Sequence, residues 1–402
     1  MDLAQFLDIT RSVGGRIIRL DLTGFLRLLR VNSMFKPKRV VWNFSHTKKL
    51  FNTVSFPATG RARQLPKAPK ASVEKCAKAL NDFNFAKHRT DRQLTAFLAM
   101  HKGKLCFEEY YQKTKRTDIR IGWSVSKGLI AILVGILIDK KVIKKSDLDR
   151  SVTPLVPMLN GSGYDGVTLR NLLNMSSGVA FNEDYIDYHS DINKLGRILG
   201  IGGSMDEFAA SLVREYDPGT WRHYVSIDTH VIGMALRALT GENIQDLYHQ
   251  HLMLPMLFEA PAHCIADSFD QPFVLGGMNF CTSDYARIGQ MMLDKGKWNG
   301  QQIVSAGWIE ELITPSAPPP YPGIQGTPDA ECLYGMHWWR PPNPQKGEFF
   351  AIGIYGQMIY VNRNSQLVLV QNATDLNFRD GEGQVLLNTL SFYRHISNAI
   401  AT

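Results

Sequence analysis

The chain of 402 residues is sparing with cysteine: it has five, and no two form a C-x-x-C pair. That excludes a zinc framework of that type and a dense disulfide scaffold, and it suits a reducing, cytoplasmic setting. His249-Gln250-His251 lacks the i, i+4 spacing of a metal-binding helix, so no metal is expected. Long apolar runs are missing too. The stretch Gly128–Ile138 stops well short of the roughly 18 residues needed to span a bilayer. There is no internal repeat. Positive charge is scarce outside one end: residues 1–70 hold 14 Lys/Arg against 3 Asp/Glu, and the rest hold 31 against 34. A body without a basic stripe is not expected to bind nucleic acid.

What is present is ample apolar material. A hydrophobic content of 44% supports one large domain or two lobes around a cleft. The charge split suggests a basic N-terminal segment and strap over 1–70, followed by a body over 71–402. Within Leu3–Phe35, apolar groups are interspersed with Arg11, Arg16, Arg19, Arg27 and Arg30, and Gly14, Gly15 and Gly24 interrupt any helix. Asp2 and Asp8 stand where a secretory signal carries positive charge. Such a pattern fits peripheral membrane contact through residues 1–40, or a helix packed on the domain with Arg on its wet side.

Further along, Leu94–Met100 and Leu105–Tyr110 around His101-Lys-Gly-Lys104 predict a β-hairpin. Ser72, with Glu74 behind it, predicts a helix cap. Residues 146–260 are mostly helical in pattern, broken by Gly/Ser/Asn loops. Pro315–Pro328 is a loop beside a cleft. The segments Phe349–Ile354, Gln357–Asn362 and Leu367–Asn372 predict strands, and a last amphipathic helix runs from about Gly383 to Ile400. Strands that come early and late, with helices between, indicate an α+β (α/β) fold. Its antiparallel sheet is flanked by helices and carries an inserted helical lobe over about 146–260.

The chemistry centres on Ser124-Val125-Ser126-Lys127, at the head of the apolar run. Residues three apart share a helix face, so Lys127 lies beside the Ser124 hydroxyl. Serine needs a neighbour to take its proton, and a lysine against apolar surroundings has its charged form disfavoured. Ser-x-x-Lys recurs at Ser33/Lys36, Ser45/Lys48 and Ser72/Lys75, but only Ser124 heads a run apolar all round, which belongs at the centre of a domain. Tyr224-Val-Ser226, after the turn Pro218-Gly219-Thr220, offers a phenol to pass the proton on. Gly353, on a strand of small residues, permits close approach of a backbone or ligand. A carbonyl lying there would accept N–H bonds from Ser124 and Ile354.

The order Ser-x-x-Lys, Tyr-x-Ser and a late Gly-containing strand resembles the serine β-lactamase and penicillin-binding superfamily. More narrowly, it is similar to the class C-type branch with the family VIII esterases and 6-aminohexanoate-dimer hydrolases. Supporting stretches are Thr168–Gly178, Phe181–Tyr185, Gly276–Asn279 with Asp284–Arg287, Trp298-Asn-Gly300 and Gly353–Gln357. The resemblance implies a β-lactamase/transpeptidase-like fold and a serine hydrolase acting on small amides or esters without a cofactor. It implies Ser124 as nucleophile, Lys127 as base, Tyr224 as relay and Ser124 with Ile354 as oxyanion donors. Tyr185, Ser226, Gly353 and Asn279 would contact substrate. Two departures matter: the late strand reads Ala351-Ile352-Gly353 where class C β-lactamases have Lys-Thr-Gly, and Ser226 stands where they usually have Asn. Without that cation, β-lactam hydrolysis and D-Ala-D-Ala peptidase activity become the alternatives, together with a non-catalytic ligand-binding role. The oligomeric state is not legible.

Overall fold

The computed structural model describes residues 30–60, 64–322, 331–381 and 383–401. In chain order the strands are β1 (Thr53–Phe56), β2 (Leu94–His101), β3 (Lys104–Tyr110), β4 (Arg120–Ile121), β5 (Ala262–Ile265) and β6 (Met278–Phe280). The later ones are β7 (Lys297–Trp298), β8 (Gln301–Gln302), β9 (Leu333–Gly335), β10 (Trp338–Arg340), β11 (Glu348–Gly353), β12 (Gln357–Asn362) and β13 (Leu367–Ala373). The main sheet runs β3-β2-β13-β12-β11-β10-β9, antiparallel throughout. The sheet therefore joins the early hairpin to the late strands, through the β2/β13 pairing from Leu367↔His101 to Ala373↔Leu94.

Successive side chains of a strand point to opposite faces of the sheet, and here both faces of the central strands are covered. Leu98 and Met100 of β2 join the core that holds the Val125–Asp139 helix, while Phe97 and Ala99 join a second core on the opposite face. That second core packs Leu80 of the Lys70–Asp82 helix and Phe392 and Tyr393 of the Gln384–Ala401 helix. Lys102 and Gly103 close the β2–β3 hairpin with positive φ at both positions, as a tight two-residue turn matching strand twist requires.

Helices over 146–260 include Leu169–Leu173, Asp191–Ile201, Met205–Ala210 and Asp228–Thr240. Thr168, Ser190 and Ser204 each accept a backbone N–H at a helix start, so the polar loop residues set these boundaries. The Val125–Asp139 helix is buried almost all round. Two glycines let tryptophan rings press on it: a methyl at Gly135 would come within 2.0 Å of Trp308, and one at Gly128 within 3.1 Å of Trp338. Trp308 Nε1 also donates to the Ala131 carbonyl at 2.9 Å, which fixes the helix axially.

Two features depart from the sequence reading. The helix expected to cap at Ser72 starts at Lys70, with Pro69 as the N-cap, and Ser72 falls within its first turn. A small sheet in the order β1-β5-β6-β4 was not foreseen, because its strands have only two to four residues. The segment considered for membrane contact lies outside the described residues up to position 29, as does the end of the Pro315–Pro328 loop from Gly323 onward. No helix among the described residues is long and apolar enough to cross a membrane.

Candidate active site

Ser124 opens the central helix in a right-handed conformation (φ −64°, ψ −8°), and its side chain makes no capping bond. Its hydroxyl instead accepts from Lys127 Nζ at 2.9 Å. Lys127, only 2% exposed, also donates to the Leu275 carbonyl at 2.8 Å. Its ammonium stands 5.0 Å from the centre of the Tyr224 ring. The alcohol and the amine thus touch, and the phenol ring lies beside the amine, although Tyr224 is a hundred residues downstream. Hydrogen bonds pin the Tyr224 stretch: His223 N–H donates to Met175, and Arg222 pairs with Pro319 and Tyr321 of the proline-rich loop. The Tyr224 ring also stacks on Trp339 of β10, with centroids 6.0 Å apart.

Gly353 ends β11 against the turn that carries Ser124. A methyl there would lie 2.4 Å from the Gly122 carbonyl oxygen and 3.1 Å from Ser124 N. The close approach seen at Gly353 is to backbone. Ile354 follows in a short turn and lines the same cavity as Ser124. Gly353→Ala should force β11 away from Ser124 and misplace the Ile354 N–H. Steady-state ester hydrolysis is expected to lose about 10²–10³-fold in kcat, the scale of one lost oxyanion donor. A loss below about threefold would mean that β11 does not position this site.

The cavity measures about 410 Å³, and its walls include Ser124, Lys127, Tyr185, Ser226 and Ile354. Ser226 does not point freely into it. Its hydroxyl donates to Glu183 Oε1 at 2.5 Å and its N–H to Oε2 at 3.1 Å, and Tyr185 Oη donates to the same carboxylate at 2.8 Å. Burial pushes the Glu183 carboxyl up, against the nearby Lys127 charge and these three donors. The sequence reading did not single out Glu183. It sits in the acid-rich run Asn182–Asp187, which looks like a solvated loop, and only the neighbouring Tyr185 gave a signal.

Asn279, expected at the substrate, is a buried tie in the small sheet. It accepts from Thr47 Oγ1 at 2.9 Å and donates to the Gly277 carbonyl at 2.6 Å. Its role is to hold β6, which carries a contact to Ser126 through the Met278 N–H. His337 is a second unforeseen neighbour. It is fully buried against Tyr334 and Thr229, and burial together with the Lys127 charge pushes its imidazole well below the ordinary range. No cluster of three or more His, Cys, Asp or Glu that could hold a metal occurs among the described residues.

A buried Ser–Lys pair, a tyrosine over the lysine and a Gly-containing strand on an α+β body define a class of acyl-transfer enzyme. Residues 84–385 match the Beta-lactamase family model, and the chain belongs to that family. It is a serine hydrolase. A 6-aminohexanoate-dimer hydrolase of Paenarthrobacter ureafaciens is 29% identical over 339 residues, 82% of this chain and 84% of that protein. A Bacillus anthracis protein provisionally named 6-aminohexanoate-dimer hydrolase superposes with a TM-score of 0.74 at 19% identity, covering 92% of this chain and 95% of that one. A family VIII carboxylesterase gives a TM-score of 0.57 at 15% identity, with 83% and 99% covered. At these identities the structural matches speak to the fold alone.

Proposed function

We propose that the protein hydrolyses small amides or esters through an acyl group carried on Ser124. Lys127 in its amine form takes the hydroxyl proton as Ser124 Oγ attacks the substrate carbonyl carbon. The oxyanion that forms is held by the Ser124 and Ile354 N–H groups. When the intermediate collapses, the C–N or C–O bond breaks, and the leaving amine or alcohol receives the proton by way of Tyr224. Water then attacks the acyl-serine and gives its proton to the Tyr224/Lys127 pair. The acid departs and the hydroxyl is restored. One observation carries this reading: the 2.9 Å contact from a buried amine to the serine hydroxyl.

The relatives' names favour linear amides and simple esters. So does the strand beside the serine, which presents Ala351-Ile352-Gly353 and no cation to grip a substrate carboxylate. A missing charge partner of that kind costs about 1.5–3 kcal/mol in binding. A panel of p-nitrophenyl esters, linear aminohexanoate dimers and a chromogenic cephalosporin tests the reading. Esters or linear amides should be turned over at least about tenfold better in kcat/KM than the cephalosporin. Preference for the cephalosporin would return the β-lactamase alternative to first place. Tight ligand binding with no turnover at all would support the non-catalytic one.

A further inference from the structure

Two backbone positions beside the reacting groups are unusual. Trp123 has φ 46° and Tyr355 has φ 61°, left-handed values that large side chains seldom adopt and that cluster at functional sites. Trp123 immediately precedes Ser124, and Tyr355 immediately follows Ile354. The two therefore flank the pair of N–H groups assigned to the oxyanion, which come from places 230 residues apart in the chain.

An aromatic pile spans that gap, and two of its rings, Phe35 and Phe44, come from the N-terminal segment, while Phe378 packs on Tyr355 from the other end of the chain. Phe35 stacks on Tyr355 with ring centres 5.0 Å apart and 22° between planes, and its ring lies 5.9 Å from Trp123. Phe44 meets Trp123 and Tyr355 nearly edge-on, at 5.5 and 5.4 Å. Phe35 and Phe44 also touch each other edge-to-face at 6.3 Å. Aromatic pairs have preferred offset and edge-on geometries, so this pile restricts orientation as well as burying area. It is anchored as well: Asn43, on the Val40–Ser45 helix that carries Phe44, donates to the Ser33 and Met34 carbonyls at 2.7 and 3.1 Å. Phe35 nevertheless stays 44% exposed and lines the cavity mouth, so it adds little to the core.

We propose that Phe35 and Phe44 are positioning residues that brace Trp123 and Tyr355 in their left-handed conformations and thereby hold the oxyanion donors of Ser124 and Ile354 at working separation. Donors contribute fully only within about 2.7–3.1 Å of the charge that develops, so a small relaxation of either turn weakens the transition state more than it weakens substrate binding. The inference rests on Ser124 being the nucleophile and on Ser124 and Ile354 being the donors.

The test compares Phe35→Leu, which removes the ring, with the conservative Phe35→Tyr, using p-nitrophenyl butyrate as substrate and an alkylboronic acid that forms a tetrahedral adduct on serine. Phe35→Leu should lower kcat about tenfold to a hundredfold with KM changed less than about threefold, and should weaken boronic acid inhibition in proportion to the loss of kcat/KM. Phe35→Tyr should recover most of both. A raised KM with unchanged kcat would make Phe35 a cavity wall only and overturn the proposal. A lowered Tm with unchanged kcat and inhibition would reduce it to a structural contact and overturn it equally. If near-UV circular dichroism shows Phe35→Leu misfolded, Phe35→Met read against Phe35→Tyr gives the same comparison. Fluorophosphonate labelling of the wild type separates the two levels. An unlabelled protein would sink the hydrolase assignment and the bracing with it, whereas a labelled, active protein indifferent to Phe35→Leu would sink the bracing alone.

Discussion

Ser124→Ala should leave a folded protein that no longer takes a fluorophosphonate label and whose ester turnover falls by at least about 10⁴-fold. The structural cost is expected to be small because the hydroxyl does no work for the helix: Ser124 occupies the N-cap without a side-chain cap bond. Its one bond among those described is to Lys127, which keeps the Leu275 carbonyl as an acceptor. Losing a single hydrogen bond of this kind changes stability by about 0.5–1.5 kcal/mol, a few degrees in Tm at most for a chain of this length. Label that persists on the variant would place the nucleophile elsewhere.

Lys127→Met should be almost as damaging to turnover, about 10³-fold or more in kcat/KM, while Tm stays close to that of the wild type. A buried ammonium carries a desolvation cost, and an apolar side chain of similar length is often neutral or stabilising in its place. Here the gain is offset by leaving the Leu275 carbonyl without that donor. Lys127→Arg separates two roles that Met removes together. It keeps a cation near Tyr224 and Glu183 but cannot surrender its proton at any accessible pH, so it cannot serve as a base. Both variants should therefore be inactive. An arginine variant with more than a tenth of wild-type kcat would mean that the charge matters and the proton acceptor lies elsewhere.

Five strands of the main sheet were legible because they run for six to eight residues and end at clear turns, whereas β9 and β10, of three residues each, were not foreseen. The observed β12 coincides with the predicted Gln357–Asn362 run, and β2, β3, β11 and β13 differ from expectation by a residue or so at the ends. The central helix announced itself through an apolar run longer than a strand and buried on every side. The meeting of Ser124 and Lys127 followed from helix spacing alone. That of Tyr224 with Lys127 did not, since it depends on the Arg222–Pro319 pairing and on Trp339. Glu183 stayed hidden because an acidic residue in a polar loop is ordinarily solvated. Asn279 was placed at the substrate because a motif conveys proximity in the chain and not the direction of a side chain. The reach of Phe35 and Phe44 into the site was masked by the arginines and lysines around them, which make the segment read as an appendage. Left-handed turns at Trp123 and Tyr355 leave no mark on composition, because neither residue type favours that conformation.

The glycines at 128 and 135 have a consequence for how the enzyme comes into being. They make the Val125–Asp139 helix a socket for indole rings at 338 and 308, and the strand that abuts Ser124 arrives only at 353. During synthesis the serine and lysine leave the ribosome side by side well before anything exists to wedge their helix or face their hydroxyl. The growing polypeptide therefore carries Ser124 and Lys127 in an unfinished setting, and their surroundings are completed only when the final third of the chain closes over them.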